Sequence, residues 1–229
     1  MAIYTAIIVE PRKHAAMQFV LNNFLENLDL NWNIKIYHGT ENGLWLEELL
    51  QNNFQQTRHR ISLQNLGIAN LATSQEYSKV LTTRSFIESI PTETFLVFQT
   101  DSIINKKYKH LIYKFIDCDY VGAPWPWDHL HVGNGGLSLR KRSTMLIILD
   151  LFGPYNGAYE DQFYSLNCLK LKAKIPSREE AIEFSIEQIY NSYSFGIHKP
   201  WYHLPERIKE LIQDCEGLDT LMSLQKVIP

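Results

Sequence analysis

Apolar, β-branched segments alternating with stretches of helical spacing constrain this chain more than any other feature. Tyr4-Thr5-Ala6-Ile7-Ile8-Val9 is apolar almost throughout and reads as a buried strand. Pro11 stands where a helix can begin, and Ala15, Phe19, Val20, Leu21 and Phe24 recur at helical spacing to about Leu28. Trp32 to Tyr37 alternates with period two, a second strand. A helix is expected over Leu44 to Asn53 and a short strand near Arg60 to Leu63. From Ser74 to Ile90 the spacing is helical until Pro91 interrupts it. Thr94-Phe95-Leu96-Val97-Phe98 is the best central strand and runs directly into Gln99-Thr100-Asp101. Strand and helix in alternation specify an α/β fold, a mostly parallel sheet with helices on its faces.

The rhythm changes after Asp101. A helix is expected over Lys107 to Phe115 and a short strand over Asp119 to Gly122, followed by the rigid aromatic turn Ala123-Pro124-Trp125-Pro126-Trp127. Val132-Gly133-Asn134-Gly135-Gly136 is a glycine-rich loop, Leu137 to Leu139 is strand-like and Ser143 to Asp150 helical. A helix starting near Glu160 carries Phe163, Tyr164, Leu166 and Leu169. Ser177-Arg178-Glu179-Glu180 fits a capping box, and Pro205 to Gln213 and Leu218 to Leu224 read as terminal helices. No repeat, low-complexity tract or linker interrupts the 229 residues, so one domain is expected over 1–229.

Composition narrows the function. The apolar share of 45% excludes intrinsic disorder, and the formal charge of −3 argues against a nucleic-acid partner, which demands a basic excess. Cys118, Cys168 and Cys215 are widely spaced and form no CxxC pair, arguing against a disulfide framework and a thiolate zinc site. A reducing, cytoplasmic setting is expected. No run approaches the ~20 apolar residues of a membrane span.

Several clusters could carry chemistry, and each alone has a structural explanation. Asp101 ends a buried strand, where a carboxylate can hold a divalent metal against phosphates, or can close an Asx turn. Gly133-Asn134-Gly135-Gly136 can bring backbone N–H groups close to a sugar or phosphate, or form a tight hairpin. Glu160 and Asp161, after Asn156-Gly157-Ala158-Tyr159, suit a general base, or a favourable first helical turn. His198 and Lys199, in Phe195-Gly196-Ile197-His198-Lys199-Pro200-Trp201, could meet a metal and a phosphate. Trp125 and Trp127 could stack on a sugar ring. Glu10, Arg12 and the stretch His38-Gly39-Thr40 follow the first two strands, where a nucleotide base and ribose would lie.

In order, Phe98-Gln99-Thr100-Asp101-Ser102, Asp119 to Trp125, Val132 to Arg140, Glu160-Asp161-Gln162-Phe163 and Phe195 to Lys199 resemble the blocks of a domain family allied to GT-A glycosyltransferases, over about Ile7 to Trp201. The resemblance implies a Rossmann-like nucleotide-binding half over about 1–101, an acceptor and catalytic half over 102–203, and C-terminal helices over 204–229. It implies a glycosyltransferase moving sugar from a nucleoside-diphosphate sugar to a glycan or other hydroxyl, with Mn²⁺ or Mg²⁺. Asp101 matches the last carboxylate of the family's Asp-any-Asp metal motif, with Gln99 where the first Asp usually lies. His198 matches the C-terminal histidine of the metal shell. Asp161, with Glu160 beside it, matches the acidic helix start that holds the base of inverting members. Gly135 and Gly136 match the floor beneath the donor sugar. Glu10, Arg12, Gln99, Thr100, Asn134 and Lys199 are the further donor contacts expected, and Trp125 and Trp127 the acceptor contacts. A nucleotidyltransferase is the less favoured enzyme, because Val9-Glu10-Pro11-Arg12-Lys13 lacks that class's glycine-rich loop. A non-catalytic nucleotide- or glycan-binding module is the alternative outside enzymes.

Overall fold

A computed structural model describes residues 2–127, 133–153 and 157–225; Val132 and Asn156, named above, lie outside them. The expected alternation is present: β1 (Tyr4–Val9), α1 (Met17–Asn27), β2 (Trp32–His38), α2 (Gly43–Asn53), β3 (Ile61–Asn65), α3 (Ser74–Leu81), α4 (Arg84–Glu88) and β4 (Thr94–Phe98). Then follow β5 (Ser102–Ile104), β6 (Tyr120–Gly122), β7 (Leu137–Lys141), α5 (Arg142–Phe152), α6 (Glu160–Leu171), α7 (Arg178–Phe184), β8 (Ser185–Ile186), β9 (Gly196–His198), α8 (Ile208–Asp214) and α9 (Leu218–Gln225).

The main sheet has the order β3-β2-β1-β4-β7-β6. Strands β1 to β4 are mutually parallel, with Ala6 opposite both Ile34 and Leu96, and β7 runs antiparallel to β4 and β6. Successive side chains of a strand point to opposite faces. Ala6, Ile8, Leu96 and Phe98 therefore join one core with Val20, Phe24, Leu46 and Leu50, while Ile7, Val9, Phe95 and Val97 join another with Phe86, Met145 and Phe163. Both faces are covered, which is why β1 and β4 read as continuous apolar runs. The Phe24 and Phe98 rings stack 3.9 Å apart and pin α1 to the sheet.

Several expectations need correction. α1 starts at Met17 rather than near Pro11, because Asn42 Nδ2 donates to the carbonyls of Glu10 and Arg12, each at 2.9 Å, and holds that segment as a loop. The helix expected over Ser74 to Ile90 is broken, since the hydroxyls of Thr82 and Thr83 take the Ser78 and Lys79 carbonyls at the end of α3. Residues Lys106–Lys114 form a 3-10 helix, and so do Arg58–Arg60 and Pro205–Arg207. The glycine-rich block is no tight hairpin: it ends a long connection between β6 and β7. The capping box at Ser177 and Glu180 is present as read.

A second, three-stranded sheet, β5-β9-β8, was not anticipated. Its antiparallel pairing sets Ser102 opposite His198, and the Lys199 amide extends it by donating to the Asp101 carbonyl at 3.0 Å.

Candidate active site

Chain order and sheet order together fix where a ligand can sit. β2 and β3 lie on one side of β1, and β4 crosses back to the other, so the sheet order reverses between β1 and β4. Open α/β sheets bind ligands beyond the strand carboxyl ends at such a point. Glu10 and Gln99-Thr100-Asp101 follow those two strands, and a cavity of about 580 Å³ opens there. Every residue expected at the site borders it except Gly135, which lies just behind; the stretch His38-Gly39-Thr40 does not border it.

One wall is the start of α6. Glu160 is buried and makes a two-pronged ion pair with buried Arg140, at 2.6 and 3.1 Å. Burial opposes the Arg140 charge, but Glu160 overrides it and holds the guanidinium well above its ordinary value. The backbone N–H of Glu160 donates to Ser78 Oγ at 3.1 Å, tying α6 to α3. Both Glu160 oxygens are thus engaged by a buried cation, whereas Asp161 is the carboxylate of the pair with no side-chain ion pair among the described residues. It accepts hydrogen bonds from the Gly135 and Gln162 amides at 3.1 and 2.8 Å. Burial, followed by the Glu160 charge, pushes the Asp161 carboxyl up to about 6, close enough to neutrality for proton exchange while the carboxylate form still dominates there.

The opposite wall joins the two sheets. His198 Nε2 lies 3.2 Å from Gln99 Oε1 and 3.2 Å from Asp101 Oδ1, and the latter is buried without a hydrogen-bond partner. Among the described residues no group of three or more His, Cys, Asp and Glu is arranged to hold a metal, and this set has only two such side chains plus an amide. Its donors nevertheless fit a hard divalent cation: oxygen and imidazole ligands at ~2.1 Å in an octahedron stand ~3 Å apart. Burial opposes charge on both His198 and Asp101, yet each favours the other's ionised form, raising the histidine and lowering the carboxyl.

The glycines are dictated by these side chains. A Cβ on Gly136 would overlap the His198 imidazole, and one on Gly135 would overlap Glu160 Oε1. Gly136 is fixed by its amide on Asn134 Oδ1 at 2.8 Å. At the β1 end, Glu10 is buried and grips Arg12 through two bonds of 2.8 Å, while Arg12 is about half exposed to the cleft. At the rim the Trp125 and Trp127 rings are nearly parallel, 6.2 Å apart, with Trp125 buried and Trp127 64% exposed.

A family model described as a protein of unknown function, DUF5672, matches residues 60–198, more than half of the chain. The chain belongs to the DUF5672 family. The matched segment contains Asp101, Glu160, Asp161 and His198 and leaves out Glu10 and Arg12. No curated protein sequence matches it. Among solved structures it is similar to the mannosyltransferase PcManGT from Pyrobaculum calidifontis in complex with GDP-Man and Mn²⁺, at 10% identity and a TM-score of 0.54. That alignment covers 75% of this chain and 53% of the mannosyltransferase, so the chain spans about half its length. It is also similar to S. aureus TarS 1-349, at 14% identity and a TM-score of 0.52, over 98% of this chain and 70% of the other. At such identities the likeness concerns architecture: the DUF5672 chain has a GT-A-like α/β fold.

Sequence reading missed part of the DUF5672 cleft. Glu187, 1% exposed, borders it with Oε1 3.3 Å from His198 Nδ1 and 3.9 Å from Lys199 Nζ. Tyr77 brings a buried hydroxyl without a hydrogen-bond partner, and Ser78 secures α6. No sequence signal marked Glu187 in Ser185-Ile186-Glu187, because its place in the cleft follows from the pairing of β8 with β9. Among the described residues no helix is long and apolar enough to cross a membrane.

Proposed function

We propose that this protein transfers a sugar from a nucleoside-diphosphate sugar to an acceptor hydroxyl, with inversion and with Asp161 as general base. One observation carries the reading: Asp101 and His198, far apart in the chain, meet on one wall of the switch-point cleft whose other wall is Asp161. The GT-A-like fold and the GDP-Man and Mn²⁺ held by the mannosyltransferase support it.

In this reading Asp101, Gln99 and His198 hold Mn²⁺ or Mg²⁺, which supplies charge neutralisation for the leaving diphosphate. Arg12 and Lys199 contribute further positive charge along the donor, and Glu10 fixes Arg12 in place. Thr100, Asn134, Gly135 and Gly136 floor the donor side. The donor half is the segment of about 1–101 and the acceptor half 102–203. Trp127, supported by Trp125, offers an indole face to a glycan acceptor. Asp161 takes the acceptor hydroxyl proton as the oxygen attacks, and Glu160 holds the helix end through Arg140 rather than exchanging protons. The three cysteines are buried and free, in keeping with a reducing, cytoplasmic setting.

Gln99, an amide where a second carboxylate would strengthen cation binding, favours one other reading, a binding module without turnover. Incubation with GDP-mannose and a panel of UDP-sugars, with and without Mn²⁺, separates the two. Diphosphate release from one donor, abolished in Asp161→Asn, supports transfer; Mn²⁺-dependent binding without release supports the module. Asp101→Ala should weaken donor binding at least tenfold by calorimetry, and unchanged affinity would remove Asp101 from the site.

A further inference from the structure

We infer that Glu187 is a positioning residue: it holds His198 by Nδ1 and thereby turns Nε2 toward Asp101 and Gln99. Only the second measurement below rests on the cation reading proposed above.

Sheet register brings the two together. Ser185 and Ile186 of β8 pair in parallel with Gly196 and Ile197 of β9, so the residues after each pair, Glu187 and His198, emerge side by side. The His198 ring is 1% exposed and is backed by Gly136, where even one carbon would overlap it. A ring confined in this way presents one nitrogen to each side. Nε2 faces Gln99 and Asp101, while the buried Nδ1 forms no hydrogen bond in the structure and has Glu187 Oε1 3.3 Å away.

Glu187 in turn needs a donor. A buried carboxylate is costly unless it is paired and hydrogen-bonded. Its described polar neighbours are Lys199 Nζ at 3.9 Å and Gln188 Nε2 at 3.5 Å, both at the outer limit of contact. An N–H at His198 Nδ1 satisfies Glu187 best, and with a cation between Nε2 and the Gln99 and Asp101 oxygens an imidazole protonated on Nδ1 offers that cation the Nε2 lone pair. Carboxylates behind ligating histidines fix the tautomer and raise basicity, and their loss costs about 10- to 100-fold in metal affinity. Lys199 completes the arrangement: its left-handed backbone (φ 32°) is held by the bond to the Asp101 carbonyl.

The first test is proton NMR of ¹⁵N-labelled, metal-free protein. A slowly exchanging, downfield Nδ1–H resonance of His198 is expected in wild type, lost in Glu187→Ala and retained in Glu187→Gln, whose amide oxygen still accepts. The second is titration with Mn²⁺ alone, where Glu187→Ala should bind about 10- to 100-fold more weakly and Glu187→Gln should lie between. Glu187→Gln is isosteric and decides the matter if the alanine variant does not fold. Absence of the Nδ1–H resonance in wild type, or wild-type Mn²⁺ affinity in the variants, overturns the inference. A wild-type resonance lost in Glu187→Ala, in a protein that binds no Mn²⁺, upholds Glu187 as the anchor of His198 and removes the cation from the proposed function.

Discussion

Asp161→Asn should make the protein less active and more stable, and the two effects have one source. The Asp161 carboxyl is moved from an ordinary value of 3.8 to about 6, first by burial and then by the neighbouring Glu160 charge. Holding it ionised above that range costs at most about 3 kcal/mol. The sign follows from proton linkage. The native state binds more protons than the unfolded chain between those values, so this residue's stabilising contribution is complete below about pH 4 and lost as pH rises through 6. Asparagine carries no charge, but its amide oxygen can face only one of the two N–H donors, Gly135 and Gln162, that the carboxylate serves. That loss is worth about 1 kcal/mol. Asp161→Asn should therefore gain about 1–2 kcal/mol at pH 8, a few degrees in Tm for a chain of this size. Its advantage should shrink toward pH 4. Transfer should fall about 10²–10⁴-fold, while wild-type turnover rises with pH through about 6. Thermal melts from pH 4 to 8 and a turnover assay measure both effects. A variant less stable than wild type at pH 8, or one with wild-type turnover, refutes the reasoning.

Other substitutions separate scaffold from chemistry. Glu160→Gln strands the buried Arg140 guanidinium and should cost about 3–5 kcal/mol in chemical denaturation. Arg60 is buried and donates to the carbonyls of Leu25 in the last turn of α1 and of Leu28, Asp29 and Trp32 beyond it. Arg60→Ala should lower stability by about 2–4 kcal/mol, with donor affinity of the folded fraction unchanged. Trp127→Ala, at an exposed ring, should leave stability within about 0.5 kcal/mol and raise the acceptor KM, read from initial rates at varied acceptor.

The sequence made one half of the fold legible and left the other obscure for a physical reason. β1, β2 and β4 are five to seven residues long, β1 and β4 as nearly continuous buried runs and β2 with alternating burial over its first half, so their pattern is visible without knowing their partners. β5, β8 and β9 are two or three residues long, too short to show a period, and exist because distant segments pair. Asp101, Asp161 and His198 could be singled out by type and order. Glu187 could not, because its importance comes from the register of β8 on β9. In the sequence the glycines suggest freedom of the backbone. At Gly135 and Gly136 the requirement is instead room for Glu160 and the His198 ring.

The charges left over in the cleft bear on what it can admit. Glu10 with Arg12 and Glu160 with Arg140 are internally neutral pairs. Asp101, Asp161 and Glu187 then face Lys199 and His198, so carboxylates outnumber cations once Asp161 is ionised. A diphosphate entering such a cleft meets net repulsion, strengthened where water is excluded. This gives Asp101→Ala a sign that tells two roles apart. If Asp101 were only a buried carboxylate, removing its charge would ease repulsion and tighten binding of a nucleoside diphosphate. If Asp101 holds the cation that makes the diphosphate welcome, the same change must weaken binding in Mn²⁺, and the effect must disappear or reverse in sign when Mn²⁺ is withheld. Weakening confined to Mn²⁺-containing buffer is the outcome expected under the proposed cation role of Asp101, whose Oδ1 is buried beside His198 with no hydrogen bond of its own.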